Sequence, residues 1–100
     1  MQYIKLLIGV EQNLLVNYGK VKYRLDIRFN DYSNFWYFDL YINATNELLL
    51  SGIKIKLDYD IFEGLGLNLG KLYLVDTIND GTDFDIKEDF GNRLKLLRDY

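Results

Sequence analysis

VKYRLDIRFN, Val21 to Asn30, sets Val21, Tyr23, Leu25, Ile27 and Phe29 against Lys22, Arg24, Asp26, Arg28 and Asn30. Alternation at period two places each set on its own face of an extended chain, so the stretch predicts a half-buried β-strand. A shorter strand, Leu14 to Tyr18, precedes it. Between the two, Asn17-Tyr18-Gly19-Lys20 offers a glycine able to take positive φ in a tight hairpin. On the other side, Asn30 to Asn34 (NDYSN) carries side chains that bond their own backbone in turns, and it predicts a second reversal into a strand from Phe35 to Asn43.

That next strand, FWYFDLYIN, puts Trp36, Phe38, Leu40 and Ile42 on a core face and Phe35, Tyr37, Asp39 and Tyr41 on the other. An aromatic second face with a single carboxylate predicts cover by more sheet or by a neighbouring subunit. Asn43 to Glu47 reads as a turn and Leu48 to Leu57 as a strand. Gly52 in its interior marks a bulge or a corner. Tyr59 to Leu65 is expected to form one helical turn, capped by Asp58 or Asp60 and stopped by Gly64. GLNLG (Gly66 to Gly70) follows as a loop. Lys71 to Asp76 and Arg93 to Arg98 are strands, and so is Tyr3 to Ile8, where apolar Ile4, Leu6, Leu7 and Ile8 suggest cover on both faces. The expectation is an all-β fold: a small, mainly antiparallel barrel or sandwich of about seven short strands with one short helical turn, forming a single domain over residues 1–100.

Composition narrows the chemistry. The chain has 49% hydrophobic and 27% charged residues and no histidine, cysteine or proline. This describes an ordinary globular domain in which disulfides, thiolate or imidazole metal sites and the usual nucleophile relays are unavailable. No apolar run approaches the roughly 18–20 residues that span a bilayer. The start, MQYIKLLIGVEQN, carries one lysine and no small-residue cleavage site, so no signal peptide is expected. The net charge of −3 is concentrated: Asp76 to Gly91 (DTINDGTDFDIKEDFG) holds six of the fifteen acids and one of the twelve bases. The remainder has eleven bases against nine acids. A body this close to neutral lacks the basic stripe that phosphate neutralisation needs.

Read as an EF-hand with Gly81 at position 6, the acidic segment places Ile78 at position 3 and Lys87 at position 12, so two essential ligands fail. A solvated connection with a turn at Asn79-Asp80-Gly81 is the simpler reading. Its length is notable, because loops beyond about 12–15 residues are uncommon in compact domains unless functional or flexible. Asp39 is the acid whose neighbours suggest burial. It lacks the geometric partner that acid–base catalysis requires, and a backbone amide, an arginine or a tyrosine hydroxyl is its expected partner. No catalytic, cofactor or metal residues are assigned. Phe35, Tyr37 and Tyr41 form a candidate aromatic interface. With Arg24 and Arg28 beside them they also support an alternative: a small OB-like barrel binding single-stranded nucleic acid or oligosaccharide.

The order of elements carries a further signal. MQYIKLLIGVEQNLLVNYGKVKYRLDIRFND, NFWYFDLYI, LLLSGIKIKLDYDIFEGLG, GKLYLVDT, an Asp-rich loop and FGNRLKLL together resemble the plug-like baseplate proteins of contractile-tailed phages, including the cyanophage baseplate plug family. The matching positions are Gln12, the strand Tyr23 to Phe29, Trp36 with Asp39 and Leu40, Gly52, Gly70 with Leu72 and Asp76, and Gly91. The resemblance implies a non-enzymatic structural component of a phage or prophage virion, made in the bacterial host cytoplasm and placed at the centre of the tail baseplate. It also implies hub and tube proteins as partners, a homo-oligomer in the assembled tail, and no cofactor, nucleic acid or membrane. On that reading Asp80, Asp83, Asp85, Glu88 and Asp89 are candidates to meet basic residues on a partner, and neutralising them is expected to leave thermal stability nearly unchanged.

Overall fold

Alternation in the central strand is realised as a four-stranded antiparallel sheet. The computed structural model describes residues 2–66, 69–78 and 80–99. Parts of two expectations, Leu67-Asn68 of the GLNLG loop and Asn79 of the acidic turn, lie outside the described residues. Strands β2 (Gln12–Tyr18), β3 (Val21–Asn30), β4 (Phe35–Ile42) and β5 (Glu47–Lys54) follow one another as a meander in the order β2-β3-β4-β5. The first hairpin closes through Gly19-Lys20, with Tyr18 opposite Val21 and Gly19 at φ 60°. Positive φ at the first loop position fits a type II′ turn, whose twist matches that of the flanking strands. In the second turn the Asn30 side chain accepts a bond from the Ser33 amide, and Asn34 takes φ 59°.

A three-stranded antiparallel sheet of β1 (Gln2–Ile4), β7 (Leu94–Asp99) and β6 (Lys71–Asp76), in the order β1-β7-β6, packs against the first. The result is a sandwich rather than a closed barrel. The chain passes from β5 to the second sheet along residues 55–61. There the amide of Ile55 donates to Trp36 O, that of Asp58 to Leu74 O and that of Ile61 to Leu72 O, at 2.7–2.9 Å. This segment therefore overlies the outer edge of β6.

Three expectations are corrected in detail. Tyr59 to Leu65 is not a helical turn: its bonds, Glu63 N to Asp60 O and Leu65 N to Phe62 O, close isolated turns that do not propagate. The Asp60 carboxylate does not cap a helix; it accepts bonds from the Phe62 and Leu72 amides and thereby fastens the crossover to β6. The first strand ends at Ile4 instead of Ile8, and Leu7 and Ile8 are 62% and 59% exposed instead of covered on both faces. The Gln12 side chain replaces strand pairing there, accepting from Leu7 N and donating to the carbonyls of Leu7 and Val10. Finally, β5 stops at Lys54, and Leu57 makes only an isolated bridge to Leu74.

The bulge expected at Gly52 is present. Phe38 pairs with Ile53 and Leu40 with Leu50, so Ser51 and Gly52 stand opposite Asp39 alone. Gly52 adopts φ 67°, and the Asp39 carboxylate receives its amide at 2.7 Å and the Ser51 hydroxyl at 3.2 Å. The half-buried Asp39 is thus bonded to a backbone amide.

Between the sheets lie Leu25, Ile27, Trp36, Phe38 and Leu40 from one side and Leu72, Leu74, Leu94 and Leu96 from the other, with Ile55, Ile61, Phe62 and Phe90 closing the ends. Each fully buried side chain of this size contributes about 1.5–3 kcal/mol relative to exposure. The same inward face of β7 that presents Leu94 and Leu96 also presents buried Arg98. Its guanidinium lies 3.9 Å from the centre of the Tyr18 ring and donates to Asn17 O, tying the second sheet to β2.

Two glycines provide a graded test of this packing. A Cβ on Gly91 (φ 87°) would lie 2.5 Å from the Leu7 carbonyl oxygen, whereas Gly19 has open space around it. Gly19→Ala is expected to lose only the left-handed backbone term, about 1 kcal/mol. Gly91→Ala adds a backbone clash and is expected to cost roughly 2–4 kcal/mol in urea denaturation. Equal costs at the two sites would contradict the close approach of residues 7 and 91.

Candidate docking surfaces

The acidic segment is fastened from two sides. On the solvent side Arg93, three residues after Phe90, sends its guanidinium back over the loop. Nε and Nη2 donate to the two carboxylate oxygens of Asp76 at 2.7 Å each, and both side chains are only 10% exposed. Nη1 donates to Thr82 Oγ1 and Asp83 O, and Nη2 also donates to Thr82 O. One planar fork therefore joins the end of β6 to the far limb of the loop, a geometry a lysine could not reproduce. The neighbouring Asp76 carboxylate holds the Arg93 pKa above its ordinary value.

On the core side the loop turns its apolar residues inward. The Phe90 ring stacks on Trp36 at 4.3 Å between centres and 21° between planes, and Trp36 Nε1 donates to Ile86 O at 2.6 Å. Phe84 and Ile86 pack against the same cluster. The segment is thus more than a solvated connection: one side completes the core while the other carries the acids.

The five acids named from the sequence share this loop, but they are not equivalent. Asp85 accepts bonds from the Lys87 and Glu88 amides, and Asp89 from the Asp85 amide. Asp80 accepts the Thr82 amide and hydroxyl, with Arg93 Nη2 at 3.9 Å; these bonds lower its pKa. Asp83 and Glu88 are exposed, and among the described residues their carboxylates have no hydrogen-bond or ion-pair partner. Three of the five therefore shape the loop, and two are free to meet something else. Among the described residues no three metal-ligating side chains converge. Lys87 reaches outward to Asp31 at 2.9 Å, which raises its pKa.

The aromatic candidates lie on the outward face of the meander. Phe35 and Tyr37 meet edge to face at 6.1 Å, and Lys54 sits 4.9 Å over the Phe35 ring. Tyr41 is covered by Arg24 at 4.4 Å, and that arginine also bonds Asp26 at 2.9 Å and Asn46 at 2.7 Å. The cover expected over this face thus comes in part from the cationic side chains of its own sheet. Arg28, the other basic residue considered beside them, donates to the Ile27 carbonyl.

Sequence reasoning did not single out Arg93, the Trp36–Phe90 stack or the exposed Leu7, Ile8 and Val10. For Arg93 a signal was present, since a loop with six acids and one lysine needs a cation from outside, and Arg93 is the first base beyond it.

The family model described as Cyanophage baseplate Pam3 plug gp18 matches residues 1–99. No curated protein matches the chain.

The clamp predicts a pH and substitution signature. Arg93→Lys keeps the charge but loses the fork, so amide exchange at Thr77 and Thr82 should accelerate, while Lys87→Ala at the exposed ion pair should leave both unchanged. Because the Asp80 pKa is lowered from its ordinary 3.8, its contribution is present above that value. It is lost as pH falls through the lower folded-state value. An NMR titration of the Thr82 amide reads this directly, and a transition above 3.8 would contradict it.

Proposed function

The chain belongs to the cyanophage baseplate plug family, and from that premise we propose that it is a non-enzymatic plug and assembly protein at the tube–hub region of a contractile-tail baseplate. The observation that carries this reading is the extent of the family match, which takes in 99 of 100 residues and so includes both sheets and the acidic loop. The family is a structural component of the phage tail. In this reading the protein is made in the bacterial cytoplasm, is built into the virion in several copies, and meets hub and tube proteins without nucleic acid or membrane.

The site geometry supports a surface that binds rather than reacts. Asp39 is committed to the β5 bulge, and Asp76 to Arg93. The Tyr41 face that would stack a base or sugar is occupied by Arg24. What faces outward is a loop of fixed shape displaying Asp83 and Glu88, suited to a basic patch on a neighbouring tail protein. Complementary charge of this kind acts mainly on encounter and register, and it weakens with salt.

Two measurements test the reading. Mass spectrometry of purified tails should find the chain as a stoichiometric baseplate component, and its absence would sink the assignment. Asp83→Asn combined with Glu88→Gln should leave thermal unfolding unchanged but weaken incorporation into baseplates at low ionic strength, with the difference closing in high salt. Equal incorporation at low salt would remove the docking role of the loop.

A further inference from the structure

A β-sandwich has four sheet edges, and each unpaired edge is a template for another strand unless something blunts it. Here three are blunted. Strand β1 has three residues, β5 is interrupted by register shifts opposite Phe38/Leu40 and Leu40/Tyr41, and β6 is overlaid by residues 57–61. The fourth, β2, runs through seven residues in unbroken register with β3. Its sequence, QNLLVNY, has no charge, no proline and no glycine. Among the described residues its edge is met at one end alone, where Arg98 of the second sheet donates to Asn17 O, and no proline, bulge or charge within the strand blunts the rest.

The direction of its free groups follows from the neighbouring bonds. Lys22 O accepts Asn43 N on the β4 side, and Phe29 N donates to Glu11 Oε2 on the β2 side. Main-chain groups alternate sides along a strand, so Tyr23, Leu25 and Ile27 face β2, and their partners Val16, Leu14 and Gln12 face back. The backbone groups of Asn13, Leu15 and Asn17 therefore point away from the sheet. Among the described residues the only bond they receive is from Arg98 to Asn17 O, and a carbonyl oxygen has a second lone pair. The side chains of Asn13, Leu15 and Asn17 are exposed, with Leu15 at 52%.

We propose that the occupant of this edge is a second copy of the same chain, its β2 running antiparallel to the first about a two-fold axis at Leu15. The strand is nearly palindromic about that residue. Asn13 meets Asn17, Leu14 meets Val16, Gln12 meets Tyr18, and the exposed Leu15 meets its own equivalent. The outward backbone groups at 13, 15 and 17 obey the same symmetry, so every free donor finds an acceptor, with up to about six inter-chain bonds. The lack of charge removes the like-charge repulsion that self-pairing of a charged strand would bring. The two four-stranded sheets join into one of eight strands, an isologous contact that closes at two copies. This gives the oligomer reading above a surface and a partner, yet it rests on the sheet edge alone and does not require the tube–hub placement.

The test is the molar mass of the purified chain by light scattering across a dilution series. The proposal expects a species of twice 11.9 kDa that dissociates on dilution, and it expects Leu15→Lys to be monomeric with an unchanged circular dichroism spectrum. Because the chain has no cysteine, Leu15→Cys introduces a single thiol. Oxidation should link it to its symmetry mate, since facing residues in such a pair lie about 5.5 Å apart, within disulfide range. Tyr32→Cys, at a fully exposed turn position, should cross-link far more slowly. A monomer at every concentration, a dimer that survives Leu15→Lys, or equal cross-linking at positions 15 and 32 would each overturn the pairing. None of these outcomes bears on detection of the chain in purified tails, so the two readings fail separately.

Discussion

The structure depends on Trp36 more than on any other side chain. It is the point where the four-stranded sheet, the crossover and the acidic loop meet. Its ring is stacked by Phe90 and met edge-on by Phe29, its indole N–H is satisfied by Ile86 O, and its own carbonyl receives the amide of Ile55. A tryptophan only 1% exposed must place its single donor, and here that donor selects which part of a long, polar loop comes down onto the core. Without that anchor the acidic segment would be a tether; with it, the segment is the wall at one end of the sandwich.

Much of the fold was legible because one constraint, alternation with one buried face, acts residue by residue along β3, β4, β6 and β7. The first two hairpins were legible for a similar reason, since Gly19 and the Asn30–Asn34 turn carry their conformation in their chemistry. Elements whose limits are set by distant partners were less so. Leu7 and Ile8 look like strand because they are apolar. The chain leaves the sheet after Ile4 because Gln12 and the Gly9 N–H to Phe90 O bond hold residues 7–10 elsewhere. Tyr59 to Leu65 looks like a capped turn because Asp58, Asp60 and Gly64 are capping residues, yet the Asp60 carboxylate is drawn to the Leu72 amide on β6.

The candidate site follows the same division. Composition located the acidic surface and treated its five acids as alike. Only the fold distinguishes Asp85 and Asp89, whose carboxylates accept backbone amides within the turn from Asp85 to Asp89, from Asp83 and Glu88, which face outward. Arg93 escaped notice because it was read as the start of the closing strand, whereas its role is defined by the acidic loop it reaches back across. Asp39 is a case where chemistry pointed the right way in advance: a carboxylate in an aromatic strand needs donors, and a bulge with an unpaired amide supplies them.

The pairing of β1 with β7 has a consequence for how the molecule comes together. The meander β2 to β5 is built from neighbouring hairpins, whereas Gln2 finds Arg98 across almost the whole chain. Loop-closure entropy delays such a contact until the intervening chain is already ordered. The natural folding order is thus meander first and three-stranded sheet last. During that interval β1 and β7 stand open, and the finished meander is the template on which they are laid down.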